Sequence, residues 1–555
     1  MKREMTALEG REFDLLVVGG GIYGAWTALD AALRGLRVAM VEQNDWGSGT
    51  SQASSKLMHG GLRYLEQYRF GLVRHSLQER QRLMTLAPHA VRPLRFVVPL
   101  YPEGPAHPLV LKAGLTLYDG LAGKLPASQR HQWIPRGVME QSWPYLRRQD
   151  LRGGFSYPDG QTDDARLTLE VVWGAARAGA VVVNHARAVE LLWGHSSGAG
   201  SSLAGNRVAG AAVVCQLTGK SVEVKARMTV AAAGPWIGGL AKAGRAGKVL
   251  AQRGNPPAFR LTKGVHLILP PLPGNEAHLL RHVRDSRVFF VIPWYGHTLV
   301  GTTDTAYHGP PEDCRVQPED TAYLLEGLAG AGIQRSEGDV LGRFAGLRTL
   351  RSMEGDPSAV SREWEMEMPL PGLWVPIGGK LTSARADAAL LTNKCMTLLG
   401  RDPGGESPTS RQPTPWSPRP DTQTRKPAWN AEVWLTQARA QCQAAGFTDA
   451  QAHWAPLRYG NRLPGLLSRI AAQPALGKPL HPDLPFLWDE VNMALEEEMA
   501  LTLEDVLRRR LPLVLLRPAA REVLTAVARR MAEKLGWSPE REAQEVAHGM
   551  SLGKE

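Results

Sequence analysis

Apolar and polar positions change their spacing twice within the first fifty residues. Residues 13–18 form an apolar, β-branched run that ends at three consecutive glycines, residues 22–33 have helical spacing, and residues 37–42 form a second apolar run. Short apolar runs bounded by turn residues are typical of buried strands, whereas apolar residues three and four positions apart are typical of helices. This stretch therefore predicts a β-α-β unit.

Strand-length apolar runs continue to about residue 400 and alternate with helical segments. They lie at 180–183, 208–214, 228–232, 266–269, 288–292 and 373–377. The alternation predicts a mixed α/β domain over residues 1–402. Residues 403–428 contain seven prolines among many serines and threonines, which is typical of a linker. Helical spacing recurs over residues 429–555, for example at 490–510 and 517–535, and predicts an α-helical C-terminal domain.

Composition and charge exclude several classes of protein. The 555 residues are 43% hydrophobic and 21% charged, as in a globular protein with a substantial core. The four cysteines lack the spacing of a disulfide framework or a zinc site, so no metal is expected. Without a long apolar run or a secretory signal, the protein is expected in the cytoplasm, with peripheral membrane contact at most. The net charge of +11 favours an anionic surface or substrate.

Three glycines with the spacing Gly19-x-Gly21-x-x-Gly24 stand between the first predicted strand and the helix, and Glu42 closes the next strand. In a dinucleotide-binding fold such glycines let the backbone approach a pyrophosphate at the positive end of the helix, and the acidic residue accepts from ribose hydroxyls. A glycine turn without a ligand is the alternative interpretation. The fingerprint predicts a dinucleotide but does not distinguish NAD from FAD.

Later segments favour FAD. Residues 50–64 are dense in small hydroxyls and glycine, and such a loop can enclose a phosphate and a flavin ring. Residues 230–236 resemble the strand-end turn with which many flavoproteins close over their dinucleotide, and residues 378–382 precede a predicted helix whose positive end can face the flavin. The cofactor contacts expected outside the fingerprint are Gln43, Thr50, Ser51, Ser55, Leu57, His59, Gly60, Gly61, Gly234, Trp236, Gly379, Lys380, Leu381 and Thr382.

Seven motifs in order resemble the FAD-dependent glycerol-3-phosphate dehydrogenase family, within the glycine and D-amino-acid oxidase-like flavoproteins. They are TSQASSKLMHGGLRYL (50–65), YPDGQTDDARL (157–167), AAAGPW (231–236), LTKGVHLILP (261–270), VFFVIPW (288–294), VGTTDTAY (300–307) and IGGKLTSAR (377–385). The resemblance covers about residues 13–390 and continues weakly to about 515. It implies a Rossmann-type FAD-binding domain interleaved with an antiparallel-sheet substrate domain, followed by a C-terminal helical domain.

The resemblance also implies groups that hold the substrate. Arg348 and Arg362 match positions that bind its phosphate, where forked guanidiniums can hold oxygen pairs. Arg63 and Tyr64 match positions near the substrate, although either can instead pack structurally. One departure is the segment 346–350, Gly-Leu-Arg-Thr-Leu, where relatives usually have Val and Pro beside the arginine.

The implied reaction is oxidation of sn-glycerol 3-phosphate to dihydroxyacetone phosphate, with hydride transfer from C2 to N5 of FAD. His266 is the candidate base, because an imidazole can accept the hydroxyl proton near neutral pH, and Lys380 is the alternative proton acceptor. With Arg63 and Tyr64 they form the expected catalytic set. A structural histidine on a strand remains the alternative interpretation of His266.

The same family passes its electrons to a membrane quinone. The partners then expected are glycerol 3-phosphate, the quinone and the anionic inner face of the cell membrane, with residues 107–124 as a candidate interfacial helix or an ordinary core helix. A homodimer is left open. Nucleic acid is not expected, because aromatic RNA motifs and basic runs are missing.

Three rival functions stay open at this point. A glycerol-3-phosphate oxidase that reduces oxygen shares the fold and the substrate motifs. An amine or amino-acid oxidase shares the fold but needs a carboxylate clamp. A non-catalytic nucleotide-binding regulator would use the basic surface without reducing a flavin.

Overall fold

The structure is a computed structural model that describes residues 1–102, 108–123, 126, 129–196, 205–252, 259–351, 364–419, 429–517 and 521–552. Its main elements, in chain order, are β1 (Glu12–Val18), α1 (Ile22–Leu33), β2 (Val38–Val41), β3 (Leu57–Met58), α2 (Phe70–Leu86), β4 (Val91–Pro99), α3 (Pro108–Ala122), β5 (Gln132–Ile134), α4 (Arg136–Ser142), β6 (Gly154–Thr162), α5 (Asp164–Arg177), β7 (Val181–Val183), β8 (Ala186–Ser196), β9 (Gly205–Cys215), β10 (Ser221–Ala231), α6 (Ile237–Lys242), α7 (Gly244–Gln252), β11 (Phe259–Leu269), β12 (Ala277–Arg281), β13 (Val288–Trp294), β14 (His297–Gly301), β15 (Thr305–Tyr307), α8 (Pro318–Gly330), β16 (Gly342–Arg351), β17 (Glu365–Leu370), β18 (Leu373–Ile377), α9 (Ala384–Leu398), α10 (Ala431–Ala444), α11 (Asp449–Tyr459), α12 (Leu463–Ala472), α13 (Trp488–Glu496), α14 (Leu513–Leu516), α15 (Arg521–Leu535) and α16 (Pro539–Gly549). A π-helical turn, Asp505–Arg510, precedes α14.

The first sheet has a parallel centre in the order β7-β2-β1-β10-β18. β17 extends it antiparallel to β18, and the β8-β9 pair extends it antiparallel to β10. Helices α1, α5 and α9 pack together beside the sheet. Because both faces of such a sheet are covered, its strands are apolar without alternation, and Leu15, Leu16 and Val17 have no exposed surface. The predicted β-α-β unit is confirmed.

The second sheet has ten strands in the order β15-β11-β14-β13-β12-β4-β6-β3, with β16 paired to β11 and β5 to β6. Most of its pairs are antiparallel. Its strands come from two separate stretches, β3 to β6 and β11 to β16, and strands of the first sheet lie between them in the chain. The predicted interleaving of a Rossmann-type domain with an antiparallel-sheet domain is therefore confirmed.

The C-terminal helices share a hydrophobic core with the second sheet. Phe486, Leu503 and Val506 belong to the same buried cluster as Phe96 and Phe344. The predicted 403–428 linker is described only as far as residue 419, and residues 420–428 lie outside the described part. In the described part, the Trp416 ring is buried and its backbone N–H donates to Glu170 at 2.8 Å.

Candidate functional site

A cavity of about 710 Å³ lies where the carboxyl ends of β1, β2, β10 and β18 meet the second sheet. This is the edge at which open α/β sheets bind nucleotides, and the volume falls within the roughly 300–1,000 Å³ of small-molecule sites. The predicted site residues in its wall are Gly19, Gly21, Glu42, Gln43, Thr50, Ser51, Ser55, Leu57, His59, Gly61, Arg63, Tyr64, Gly234, Trp236, His266, Arg348, Gly379, Lys380, Leu381 and Thr382. One cavity therefore gathers most of the predicted cofactor and substrate positions.

The glycine turn brings backbone to the cavity and packs the helix on its strand. Gly19 has φ +112°, and a Cβ there would lie 2.3 Å from the Ala232 carbonyl oxygen. A Cβ at Gly24 would lie 2.0 Å from the Gly19 carbonyl oxygen, so Gly24 permits close packing and is not part of the cavity wall. Gly21 caps α1 without a side chain, and the Ile22 N–H donates to Oγ of Ser51 at 2.9 Å.

The Glu42 carboxylate closes the same turn from β2. It accepts from the N–H of Gly20 at 2.5 Å and from the N–H of Asn44 at 2.9 Å. Burial raises the pKa of this carboxyl, and the two N–H donors act in the opposite direction. Glu42 thus braces the glycine turn, and the same carboxylate lines the cavity where the fingerprint expects ribose.

The hydroxyl-rich loop is held to both sheets. Oγ1 of Thr50 donates to the carbonyl of Leu347 at 2.6 Å, and the His59 N–H donates to Oγ1 of Thr382 at 3.1 Å. Gly60 turns away from the cavity: its N–H donates to Oη of Tyr118 at 2.9 Å, and a Cβ there would meet the side chains of the core. Gly60 was predicted to contact the cofactor, but it does not belong to the cavity wall.

The loop before α9 is positioned by Tyr23. A Cβ at Gly379 would lie 1.9 Å from the Tyr23 hydroxyl, and the Lys380 N–H donates to that hydroxyl at 3.0 Å. Tyr23 in turn donates to Asp387 at 2.7 Å. α9 begins at Ala384, so its N-terminal end lies just behind this part of the cavity wall.

His266 is held at the junction with the second sheet. Its Nε2 lies 2.9 Å from Oγ of Ser55, and its ring stacks on Phe344 with 4.9 Å between centroids. Only 1% of its surface is exposed. Burial, with smaller contributions from Arg348 and Lys56, lowers the pKa of His266 well below its usual value. The imidazole is therefore neutral at neutral pH, and the same surroundings make it a weaker base than a free imidazole.

Arg348 lies beside His266 on the adjoining strand β16. Its Nη2 donates to Oγ1 of Thr302 at 2.8 Å, and its Nη1 lies 3.3 Å from a carboxylate oxygen of Asp304. Gly264 on β11 leaves the space for this guanidinium, since a Cβ there would lie 2.2 Å from Nη2. The arrangement places a cation in the cavity wall near a neutral imidazole.

A second group of cations lies where the end of the hydroxyl-rich loop and the loop before α9 line the cavity. Nζ of Lys380 is 3.9 Å from the centroid of the Tyr64 ring, and Nη2 of Arg63 donates to the Tyr64 hydroxyl at 3.3 Å. The structure therefore brings together Arg63, Tyr64 and Lys380, three members of the expected catalytic set, and their role in catalysis stays a prediction. Arg362 lies outside the described residues.

Several residues at this site were not singled out from the sequence. Tyr23 orients the Lys380 loop, Thr302 and Asp304 hold Arg348, and Phe344 stacks on His266. Thr302 and Asp304 stand inside the motif at 300–307, so the motif identified their segment but not their partner. Tyr23 and Phe344 carry no sequence signal beyond their position in a helix and a strand.

Comparisons with known proteins agree with this geometry. A family model described as FAD dependent oxidoreductase matches residues 14–391, and one described as the C-terminal domain of alpha-glycerophosphate oxidase matches residues 428–542. The fold and the cavity are those of an FAD-dependent oxidoreductase, and its cofactor is FAD.

Curated relatives narrow the family. Glycerol-3-phosphate dehydrogenase 2 of Mycobacterium tuberculosis is 36% identical, with 97% of this chain and 88% of the relative covered. The glycerol-3-phosphate dehydrogenase of Synechocystis is 31% identical over 97% of this chain and 96% of the relative. The glycerol-3-phosphate dehydrogenase of Bacillus halodurans, solved with FAD, superposes with a TM-score of 0.76 at 25% identity, covering 99% and 97% of the two chains. The chain belongs to the FAD-dependent glycerol-3-phosphate dehydrogenase family.

Proposed function

We propose that the protein oxidises sn-glycerol 3-phosphate to dihydroxyacetone phosphate. The observation that carries the proposal is the buried imidazole of His266 beside the guanidinium of Arg348 in the wall of the cavity that the glycine turn lines. FAD, held along the glycine turn and Glu42, would supply the acceptor for the hydride from C2 of the substrate. The protein's own groups have to hold the substrate's anion and take the hydroxyl proton.

Arg348 is the group proposed to hold the phosphate. Its two terminal nitrogens are oriented by Thr302 and Asp304, so the guanidinium is presented in one orientation. A forked guanidinium can donate two parallel hydrogen bonds to phosphate oxygens. Lys380 and Arg63 add positive charge to the wall of the same cavity. Arg362 is proposed as a second phosphate ligand on family resemblance alone.

His266 is proposed as the base. The stack on Phe344 and the contact with Ser55 fix the plane of the ring, and burial keeps it neutral. The proton of the C2 hydroxyl would pass to the ring nitrogen that carries none. Lys380 remains the alternative acceptor, because it also lies in the cavity wall.

Anaerobic titration of the purified yellow protein tests the reaction. Glycerol 3-phosphate is expected to bleach the flavin absorbance, whereas glycine and D-alanine are expected to leave it unchanged. Arg348→Met should slow bleaching at low substrate concentration. Arg343→Met, on the same strand but paired with Glu337 outside the cavity wall, is the matched control. Bleaching by an amino acid, without bleaching by glycerol 3-phosphate, would reject the proposal.

The proposed electron acceptor is a quinone at the membrane surface. Supporting it, α3 exposes Leu109 and Val110, which are 68% and 63% exposed, and Trp133 on β5 is also exposed. His131 connects the two segments through Asp119 of α3, at 2.7 Å. Exposed apolar patches mark membrane or protein contacts, and the net charge of +11 suits an anionic surface. In the described part of the chain, no helix has the length and apolar character needed to cross a membrane.

Vesicle binding and acceptor rates test this part. Leu109→Ser with Val110→Ser should reduce binding to vesicles containing anionic lipid and slow reduction of a quinone presented in them. The control is Val433→Ser on α10, a residue 54% exposed on a different surface. Faster turnover with oxygen than with quinone would favour an oxidase instead.

A further inference from the structure

The loop at residues 42–51 follows one wall of the cavity. Glu42 and Gln43 at one end, and Gly49, Thr50 and Ser51 at the other, line the cavity. Between them, Asp45 and Trp46 have no exposed surface and point into the protein.

The same loop is bonded to the glycine turn. Glu42 accepts the Gly20 N–H, and the Gly47 N–H donates to the Gly20 carbonyl at 2.9 Å. A Cβ at Gly20 would lie 2.7 Å from the Trp46 ring, so the ring packs directly under the turn. Movement of Asp45 and Trp46 would therefore move the glycine turn, the backbone that is expected to face the pyrophosphate of FAD.

Asp45 is held from the C-terminal helical region, more than 460 positions away in the chain. Nε of Arg509 lies 2.5 Å from Oδ2 of Asp45, while Arg510 donates to both carboxylate oxygens, to Oδ1 at 2.9 Å. Arg510 also donates to the Glu498 carbonyl at 2.7 Å. Both arginines stand on the π-helical turn Asp505–Arg510, and π turns recur at functional positions.

A second contact joins the same two segments. The His185 N–H donates to the carbonyl of Asn44 at 2.6 Å, and its Nε2 lies 2.9 Å from Oδ2 of Asp505. Asp45, His185 and Asp505 are close enough to hold a metal ion, but Arg509 pairs with both carboxylates. We interpret the cluster as a network of ion pairs for this reason.

We propose that the C-terminal region clamps loop 42–51 and so sets how tightly the adenosine half of FAD is held, with Arg509, Arg510 and Asp45 as positioning residues. The proposal rests on the proposed placement of FAD along the glycine turn and Glu42. Loss of a clamp arginine leaves a buried carboxylate partly unpaired. The loop then relaxes, and FAD binds more weakly although no residue that touches FAD has changed.

The test compares apo-proteins that differ in one buried ion pair. Arg510→Met removes one of the two arginines that hold Asp45. Arg458→Met removes the equally buried pair with Glu490, which does not contact loop 42–51, and serves as the control. FAD affinity is measured by quenching of flavin fluorescence, and unfolding temperature is recorded with and without FAD. The clamp predicts a Kd for FAD at least tenfold higher in Arg510→Met than in Arg458→Met, with a correspondingly smaller rise of the unfolding temperature on adding FAD.

Equal Kd values in Arg510→Met and Arg458→Met, within twofold, would overturn the clamp, because a general loss of stability affects both alike. If Arg510→Met is insoluble, Asp45→Asn replaces it, because this variant removes the carboxylate that both arginines hold. A wild-type Kd in Asp45→Asn overturns the proposal, and a Kd raised severalfold supports it. Glu42→Ala tests the placement of FAD itself. If FAD binds more weakly to Glu42→Ala but normally to the Arg510 variant, the clamp alone is rejected. If FAD binds normally to Glu42→Ala, the placement of FAD is rejected, and the clamp is rejected with it.

Discussion

A single added methyl group at Gly264 tests the role of Arg348 without altering any charge. Gly264 lies on β11, and a Cβ there would sit 2.2 Å from Nη2 of Arg348 and 2.6 Å from Oγ1 of Thr302. Ordinary contact begins at 3.4 Å, so the guanidinium has to retreat by about 1.2 Å. The nearest obstructing atom lies at the end of the flexible Arg348 side chain. The fold should therefore lose only about 1–3 kcal/mol, as in moderate overpacking.

The expected effect on catalysis is larger. A displacement of about 1 Å in a positioning group can cost ~100-fold in rate, which corresponds to about 2.7 kcal/mol in kcat/KM. Anaerobic stopped-flow reduction of the flavin at several glycerol 3-phosphate concentrations measures this loss in Gly264→Ala. Gly465→Ala on α12, where a Cβ meets nothing within 4 Å, is the control and should behave as wild type.

The double variant decides whether the effect acts through Arg348. If it does, Gly264→Ala causes little further loss of kcat/KM in a protein that already carries Arg348→Lys, because the effects of substitutions at residues in contact do not add. A kcat/KM within threefold of wild type in Gly264→Ala would refute the reasoning. So would losses that add fully in the double variant.

Three further results are expected. His266→Gln should lower kcat by about 10²–10⁴-fold with FAD still bound. Burial lowers the pKa of His266, and a base works above its pKa, so the wild-type profile of kcat/KM against pH should show no loss of activity from this group above about pH 6.5. A loss of activity toward acid pH that begins above about pH 6.5 in the wild type and is missing in His266→Gln would contradict this. Burial raises the pKa of Glu498, but Arg166 and Arg462 outweigh this effect and hold the pKa at about 2. The stabilisation that this carboxylate contributes is therefore complete above about pH 4.5 and is lost as the pH falls toward 2. Glu498→Gln should lower the free energy of unfolding in urea by roughly 3 kcal/mol at pH 7. If the difference in this free energy between wild type and Glu498→Gln did not become smaller below about pH 4.5, the assigned role of the Glu498 charge would be disproved. Gly24→Ala should abolish FAD binding, because its Cβ would lie 2.0 Å from the Gly19 carbonyl oxygen, and a normal flavin content after purification would show that the turn can adapt.

Prediction from the sequence worked best where the signal is local. The turn that contains Gly19, Gly21 and Gly24 lies within one β-α-β unit, so its spacing predicts the conformation of a few consecutive residues. The motif did not distinguish glycines that line the cavity from glycines that only allow close packing within the protein. Gly24 and Gly60 both serve close approaches within the protein and do not line the cavity, because one residue type satisfies either requirement.

Periodicity and motif order were enough to predict the β-α-β unit, the mixed α/β class, a helical C-terminal region and most of the segments that line the cavity, because each depends on neighbours in the chain. The proximity of His266 to Ser55 and Phe344, the space that Gly264 leaves for Arg348, and the grip of Arg510 on Asp45 depend on residues far apart in the chain. Such contacts form only when strands of two interleaved sheets and a distant helical region pack into shared cores. No local pattern encodes which side chains then meet, since that is set by the packing of the whole chain.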